Sequence, residues 1–309
     1  MRTLISHFTA TLILLMAALT PAASSAADIT VTPSRNYVTK SFNLKGFETI
    51  TSNSIIDVEF TQTNGFTKVE ITAPENLMQF VKVTTSKNGR KLNLNCDKFR
   101  TPNFSGKYRI TAKISAPSVN EFVSNGTGDI EFKNALDTKG TLKLTTNGTG
   151  DIDGPTILCK RLEAVSNGTG DIEVNSVVCT ELMANSVGTG DIDLRSVQAS
   201  TSTLGLFGTG DIELNSIKTV NLSINLTGTG DINIAGSANS AKYTLTGTGD
   251  LCAKDLKAAN VTANNHSTGD LECYATESLT VYNTATGDVK YKGNPQTINT
   301  NGKNIKRLK

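Results

Sequence analysis

The chain of 309 residues contains no tryptophan, and aromatic residues make up only 6% of it. An enzyme of this length usually buries more aromatic mass. Histidine occurs only twice, at His7 and His266. Neither sign of charge is in large excess, because the chain has 30 Lys and Arg residues and 28 Asp and Glu residues. The sequence therefore lacks the basic surplus that is typical of nucleic-acid-binding proteins, and we expect no nucleic-acid partner.

Long apolar runs are also missing, except at the N-terminus. Arg2 precedes an apolar stretch at residues 8–19, and small residues ending in Ser25-Ala26-Ala27 follow it. This order predicts a signal peptide over residues 1–27. A membrane anchor is the alternative, but the stretch is shorter than the about 20 residues that a span needs. We predict an exported protein of the periplasm, the outer surface or the medium, without a membrane span once the signal is removed.

The dominant feature of the sequence is one motif that occurs nine times, from NGTGDIEF at Asn125 to TATGDVKY at Thr284. Successive copies are 18 to 22 residues apart. The residues after the motif alternate between apolar and charged, as in Ile172-Glu173-Val174, which is the period-2 pattern of a half-buried strand. Two further apolar segments in each unit predict three short strands per coil. Stacked coils would pair these strands in parallel around a continuous core.

This pattern predicts an all-β fold, a right-handed parallel β-helix of about nine regular coils of about 20 residues. A β-propeller blade needs roughly twice this period, and a β-sandwich does not repeat one turn at a constant phase. We divide the chain into an N-terminal β region that caps or starts the helix at 28–120, the regular helix at 121–292, and a polar, basic end at 293–309. Within the first region, residues 53–60 can be aligned with residues 125–132, although both motif glycines are lost.

The repeated turn, together with the N-terminal segment Phe47-Glu48-Thr49-Ile50 and the later Ile56-Asp57-Val58-Glu59, resembles the putative auto-transporter adhesin head domain family, the head GIN domain. The resemblance covers roughly residues 35–295. It implies an exported bacterial β-helix with an adhesive role and no established enzymatic activity.

Each turn carries an invariant Gly-Asp pair, for which we predict a structural role. Because Ser267 and Ala285 replace the earlier glycine of the last two motifs, we expect the invariant glycine to be the left-handed residue, so that Gly210→Ala costs more stability than Gly208→Ala. The pairs are Gly128 and Asp129, Gly150 and Asp151, Gly170 and Asp171, Gly190 and Asp191, Gly210 and Asp211, Gly230 and Asp231, Gly249 and Asp250, Gly269 and Asp270, and Gly287 and Asp288.

The aspartate column has two interpretations. Each carboxylate can accept N–H groups of its turn as an Asx-type cap, which we favour. A distant likeness to calcium-binding β-rolls suggests calcium held between coils, but those rolls repeat every nine residues. Residues 129–288 contain 20 acidic and 10 basic residues, so this part of the rod is acidic. We predict no cofactor and no metal site.

Catalysis has little support in the sequence, because the coils are near copies and an active site needs locally different residues. We predict a non-catalytic structural or adhesive module at the bacterial cell envelope that binds an unknown surface protein or polysaccharide. The alternative is a carbohydrate-active β-helix enzyme, a lyase or a hydrolase, with a carboxylate pair beside an arginine or a lysine.

Five cysteines occur, an odd number in a chain predicted to be exported. Cys159 and Cys179 lie at equivalent positions of adjacent coils, so we expect them to stack, facing inward, as two thiols rather than a disulfide. Cys273 should also face inward, whereas Cys252 should face outward and be the most reactive thiol.

Overall fold

The computed structural model describes residues 31–96 and 106–308 as a parallel β-solenoid, and one 3₁₀ turn at Met78–Phe80 is its only helical element. The predicted parallel β-helix is confirmed. The signal-peptide prediction lies outside the described residues. No helix of the described ranges is long and apolar enough to cross a membrane.

The first nine strands of the described chain lie within residues 37–132, and two of the coils that they form stack out of chain order. These strands are β1 (Tyr37–Phe42), β2 (Thr49–Ser52), β3 (Ile56–Gln62), β4 (Lys68–Pro74), β5 (Val81–Thr85), β6 (Lys91–Cys96), β7 (Ile110–Ala116), β8 (Glu121–Ser124) and β9 (Ile130–Phe132). The β2–β3 coil lies between the β6–β7 coil and the β8–β9 coil, with parallel pairing on both sides. Strands β1, β4 and β5 pair antiparallel at this end of the solenoid.

The regular coils follow from β8–β9 onwards and stack with parallel register. Their strands are β10 (Leu136–Asp137), β11 (Thr141–Thr146), β12 (Ile152–Leu158), β13 (Arg161–Ser166), β14 (Ile172–Val178), β15 (Glu181–Ser186), β16 (Ile192–Gln198), β17 (Thr201–Leu206), β18 (Ile212–Leu226), β19 (Ile232–Leu245), β20 (Leu251–Asn265), β21 (Leu271–Asn283), β22 (Val289–Lys292), β23 (Thr297–Gly302) and β24 (Ile305–Arg307). The predicted three strands per coil hold for the first regular coil, β9–β10–β11, but are wrong for the coils that follow. Coils such as β12–β13 have two strands, and from Ile212 to Asn283 each coil is one strand of 13 to 15 residues.

The core runs the full length of the solenoid and follows the predicted alternation. The first residue after each motif aspartate points inward, and all nine of these Ile, Leu and Val side chains are at most 1% exposed. Three phenylalanines, Phe60, Phe122 and Phe132, pack edge to face near the N-terminal end, with ring centroids 4.7 to 6.4 Å apart. These three rings therefore fill the core where the irregular coils meet the regular ones.

Candidate functional site

The motif glycines allow the backbone of successive coils to approach closely. A Cβ atom built on Gly210 would lie 2.3 Å from the carbonyl oxygen of Gly190, and one built on Gly208 would lie 1.9 Å from that of Gly188. The predicted left-handed glycine is wrong, because the glycines with positive φ in the described ranges are Gly65, Gly89, Gly106, Gly236, Gly293 and Gly302, and none belongs to the motif. In the turns that contain both glycines, each of the two lies against the backbone of the preceding coil, so both are favoured for the same steric reason.

The turn at Ser267 shows what happens where the earlier glycine is replaced. In the regular turns an N–H group of one coil donates to a glycine carbonyl of the coil before, as Thr209 N does to Gly188 O at 2.9 Å. Within the described chain, Thr268 and Gly269 make no such bond to Gly247. The Ser267 amide donates instead to Asn265 Oδ1, and the Gly269 amide donates to Ser267 Oγ. Side chains thus accept from the Ser267 and Gly269 amides in place of the preceding coil.

The motif aspartates form a continuous hydrogen-bonded column, which we call the aspartate ladder. In each step the Oδ1 atom of one aspartate accepts the backbone N–H of the aspartate in the next coil, at 2.7 to 3.2 Å from Asp57 through Asp288. The carboxylates accept turn N–H groups, but not within their own turn as the Asx-type cap required. They join successive coils instead.

Cations pair with the two ends of the ladder. Arg109 contacts Asp57 at 2.6 Å, and Lys290 and Lys306 contact Asp270 and Asp288 at 2.7 and 3.2 Å. The Lys290 ammonium lowers the pKa of Asp270. Between Asp129 and Asp250 the described chain offers no ion pair to a ladder carboxylate. Burial raises the pKa of Asp129, and the amide of Asp151 offsets this only in part.

A second acidic column lies two residues further along the chain, and we call it the outer acidic column. Its members are on adjacent coils and in register: Glu59, Glu131, Asp153, Glu173, Asp193 and Glu213. Lys133 contacts Glu131 at 2.5 Å, and Arg195 approaches Glu173 and Asp193 at 3.9 Å. Together the two columns make one side of the solenoid acidic over at least five coils.

The outer acidic column borders a groove of about 410 Å³, which we call the Gly154 groove. The residues that form it include Glu131, Lys133, Asp153, Gly154, Pro155, Glu173, Asn175 and Arg195. Burial is the main reason that the pKa of Asp153 is raised to about 6, and the neighbouring carboxylates, Glu173 first, add to it. The sequence did not predict this groove. The Gly154-Pro155 pair could have indicated it, because the following coils have the larger Val174-Asn175 and Leu194-Arg195 at the equivalent positions.

A smaller cavity of about 170 Å³ lies further along the same side, between the two acidic columns. It is lined by Asp171, Glu173, Asp191, Asp193, Asp211, Glu213, Ile192 and Asn233. Despite this density of carboxylates, no group of three or more His, Cys, Asp or Glu side chains in the described ranges is placed to hold a metal ion. The three ladder carboxylates that line this cavity, Asp171, Asp191 and Asp211, each already accept a backbone N–H with their Oδ1 atom.

The cysteines largely point in the predicted directions, inward or outward, and the five are free thiols. Cys159 and Cys179 are neighbours on adjacent coils, and the interaction between their thiols lowers the pKa of Cys179 and raises that of Cys159. Both are half-buried rather than fully inward. Cys273 is buried, which raises its pKa to about 12. Cys252 faces outward but is half-buried, with its sulfur 3.7 Å from Glu272 Oε2.

These features define a class of protein, a β-solenoid whose coils are joined by stacked glycines and an aspartate ladder and which presents a long acidic side. The family described as putative auto-transporter adhesin, head GIN domain, matches residues 46–224 and 203–295, and the chain belongs to this family. The predicted resemblance is confirmed.

Solved structures with a similar fold include several bacterial proteins. A putative adhesin from Bacteroides fragilis is 23% identical, with a TM-score of 0.40 over 90% of this chain and 100% of that chain. A putative adhesin from Parabacteroides distasonis is 17% identical, with a TM-score of 0.49 over 90% of this chain and 100% of that chain. A putative lipid binding protein from Parabacteroides distasonis is 20% identical, with a TM-score of 0.46 over 91% of this chain and 100% of that chain. No curated protein matches the chain.

Proposed function

We propose that this protein is an exported, non-catalytic adhesive module of the bacterial cell envelope, and that it binds its partner along the acidic side of the solenoid. The continuous acidic side, formed by the aspartate ladder and the outer acidic column, is the observation that supports this proposal best. Membership of an adhesin family agrees with it. The ladder carboxylates serve the stacking of coils, which leaves the outer acidic column to meet a partner.

A repeated surface suits adhesion because every coil offers nearly the same groups to a long ligand. A partner that contacts several coils at once gains avidity from many weak contacts. The partner is a surface protein or a polysaccharide of the envelope.

The test compares two variants that lose the same charge in different places. In one variant Glu173→Gln, Asp193→Asn and Glu213→Gln remove three charges from the outer acidic column. The control carries Glu75→Gln, Asp137→Asn and Glu277→Gln at exposed positions outside that column. Binding of labelled protein, residues 28–309, to washed bacterial envelopes should fall in the first variant and persist in the control. Equal binding by both variants would show that the acidic side is not the adhesive surface.

Export is tested separately. The full chain and a chain without residues 1–27 are expressed in a bacterial host, and the cells are fractionated. We expect the full chain outside the cytoplasm and the shortened chain within it. Retention of both in the cytoplasm would contradict export.

One observation favours a second function, that of a carbohydrate-active enzyme. The Gly154 groove combines three carboxylates with Lys133 and Arg195, and the raised pKa of Asp153, about 6, suits a general acid. Release of reducing ends or unsaturated products from a polysaccharide panel, lost on Asp153→Asn, would establish this function and reject the non-catalytic one.

A further inference from the structure

The Gly154 groove is the place where the regular wall of the solenoid is interrupted. The third residue after the motif aspartate is a buried apolar side chain in the coils that follow, as in Val174 and Leu194. In this coil it is Gly154, and the ring of Phe132 from the coil before occupies the space, since a Cβ atom on Gly154 would lie 2.6 Å from that ring. Pro155 then stands where other coils carry the longer side chains of Asn175 and Arg195. The wall is therefore recessed across one coil.

The recess brings positively and negatively charged side chains together, and these side chains differ in how strongly they are already paired with protein groups. Lys133 is already paired with Glu131 at 2.5 Å, and Arg195 is only loosely paired with Glu173 at 3.9 Å. In the described part of the chain, the Asp153 carboxylate has no hydrogen bond and no ion pair. The groove thus offers free acceptors at its centre and cations near its two ends.

This arrangement selects the chemical class of ligand. An anionic ligand would meet the Asp153 and Glu173 carboxylates, and a cationic ligand would meet Lys133 and Arg195. A hydroxyl group can donate to a carboxylate and accept from an ammonium, guanidinium or amide group, so it suits all of these neighbours. The volume of about 410 Å³ is within the range of small-molecule sites. The groove is also open along the stack, and its lining spans four coils, about 14 Å at the spacing of paired strands.

We propose that the Gly154 groove binds an uncharged polysaccharide chain, whose hydroxyl groups bridge the carboxylates and the cations that line it. This inference rests on the proposed adhesive function and narrows its partner from a surface protein or polysaccharide to a neutral glycan. Pro155 gives the groove an apolar wall against which the C–H face of a sugar ring packs.

The experiment is affinity electrophoresis of the folded chain, residues 28–309, in native gels that contain one polysaccharide at a time. The neutral probes are dextran, mannan and laminarin, and the acidic probe is alginate. The groove variant carries Asp153→Asn with Asn175→Ala. The control variant carries Glu213→Gln with Asn215→Ala, which are the equivalent positions two or three coils further along. Because the Asn175 side chain is exposed and makes no hydrogen bond in the described chain, Asn175→Ala alone is a third variant that should not disturb folding.

We expect a neutral polysaccharide to retard the native chain and the control variant, and to bind the groove variant about ten-fold more weakly, as expected for lost hydrogen bonds to a charged group. Asn175→Ala should show a smaller loss at an unchanged melting temperature. Lack of retardation by all three neutral probes, stronger retardation by alginate, or equal loss in the groove and control variants would overturn the inference.

The envelope-binding assay separates this inference from the proposed function. If the native chain binds envelopes and the groove variant binds them equally well, the groove proposal fails and the adhesive function stands. If the native chain binds a neutral polysaccharide but no envelope fraction, the adhesive function fails and the groove proposal stands.

Discussion

The stacked glycines lead to a prediction that separates steric contact from backbone conformation. Alanine at position 210 would place a methyl carbon 2.3 Å from the Gly190 carbonyl oxygen, whereas carbon and oxygen atoms normally stay about 3.3 Å apart or more. The overlap of about 1 Å lies between two backbone segments, so no side chain can rotate away. Relief requires the coils to separate, which strains the bonds of Thr209 N to Gly188 O and of Asp211 N to Asp191 Oδ1.

We estimate the cost at about 3 kcal/mol, the upper part of the range for overpacked sites with a weakened hydrogen bond added. At about 2–4 °C per kcal/mol, this lowers the melting temperature by about 6–12 °C. Gly208→Ala should cost as much as Gly210→Ala, because its added methyl would lie 1.9 Å from the Gly188 carbonyl oxygen. The expectation that Gly208→Ala is milder is therefore replaced.

Two other glycines serve as controls. Gly140 has open space around its Cβ position and no positive φ, so Gly140→Ala should leave the melting temperature unchanged or slightly higher. Gly65 also has open space but a φ of 135°, so Gly65→Ala reports the conformational cost alone, about 1–3 kcal/mol. Thermal unfolding followed by circular dichroism measures all four variants. If the Gly208→Ala and Gly210→Ala variants had the same melting temperature as Gly140→Ala, the steric argument would be refuted.

Other features of the ladder and groove give further predictions. Asp211→Ala should be less stable than Asp211→Asn by about 1 kcal/mol, because an asparagine Oδ1 still accepts the Asp231 N–H; equal urea midpoints would contradict the ladder. The folded pKa of Asp153 is raised to about 6, so this carboxyl favours folding at acidic pH and that contribution is lost as the pH rises through 6. Asp153→Asn should therefore stabilise the chain at pH 7 by about 1 kcal/mol after solvent screening, and have no effect at pH 3; identical urea midpoints of the two proteins at pH 7 would exclude this. A maleimide should label Cys252 in the folded chain before the buried Cys273, and mass spectrometry of peptides decides the order. Excess chelator should leave the melting temperature unchanged, whereas a clear drop would reveal a bound metal ion.

Much of the solenoid follows from periodicity along the chain. Successive side chains of a strand point to opposite faces, so the pattern Ile172-Glu173-Val174, repeated at a constant spacing, sets both the inward residues and the stacking of coils. The same reasoning aligned residues 53–60 with residues 125–132. The structure confirms that register, with Val58 opposite Ile130 and Phe60 opposite Phe132. These conclusions depend on local geometry, which every copy of the motif repeats.

Tertiary structure alone decided how the coils touch. The reason for glycine in the turn is the carbonyl oxygen of the preceding coil, about 20 residues away, so a rule based on φ assigned the wrong cause. The acceptor role of each aspartate likewise depends on an N–H group of the next coil. The out-of-order β2–β3 coil joins strands about 72 residues apart, as the Asp57 to Asp129 bond shows. The Gly154 groove combines side chains from four coils, and its shape depends on what each coil lacks relative to its neighbours. Such distances between segments are set by packing in three dimensions, and the spacing of residues along one chain does not contain them.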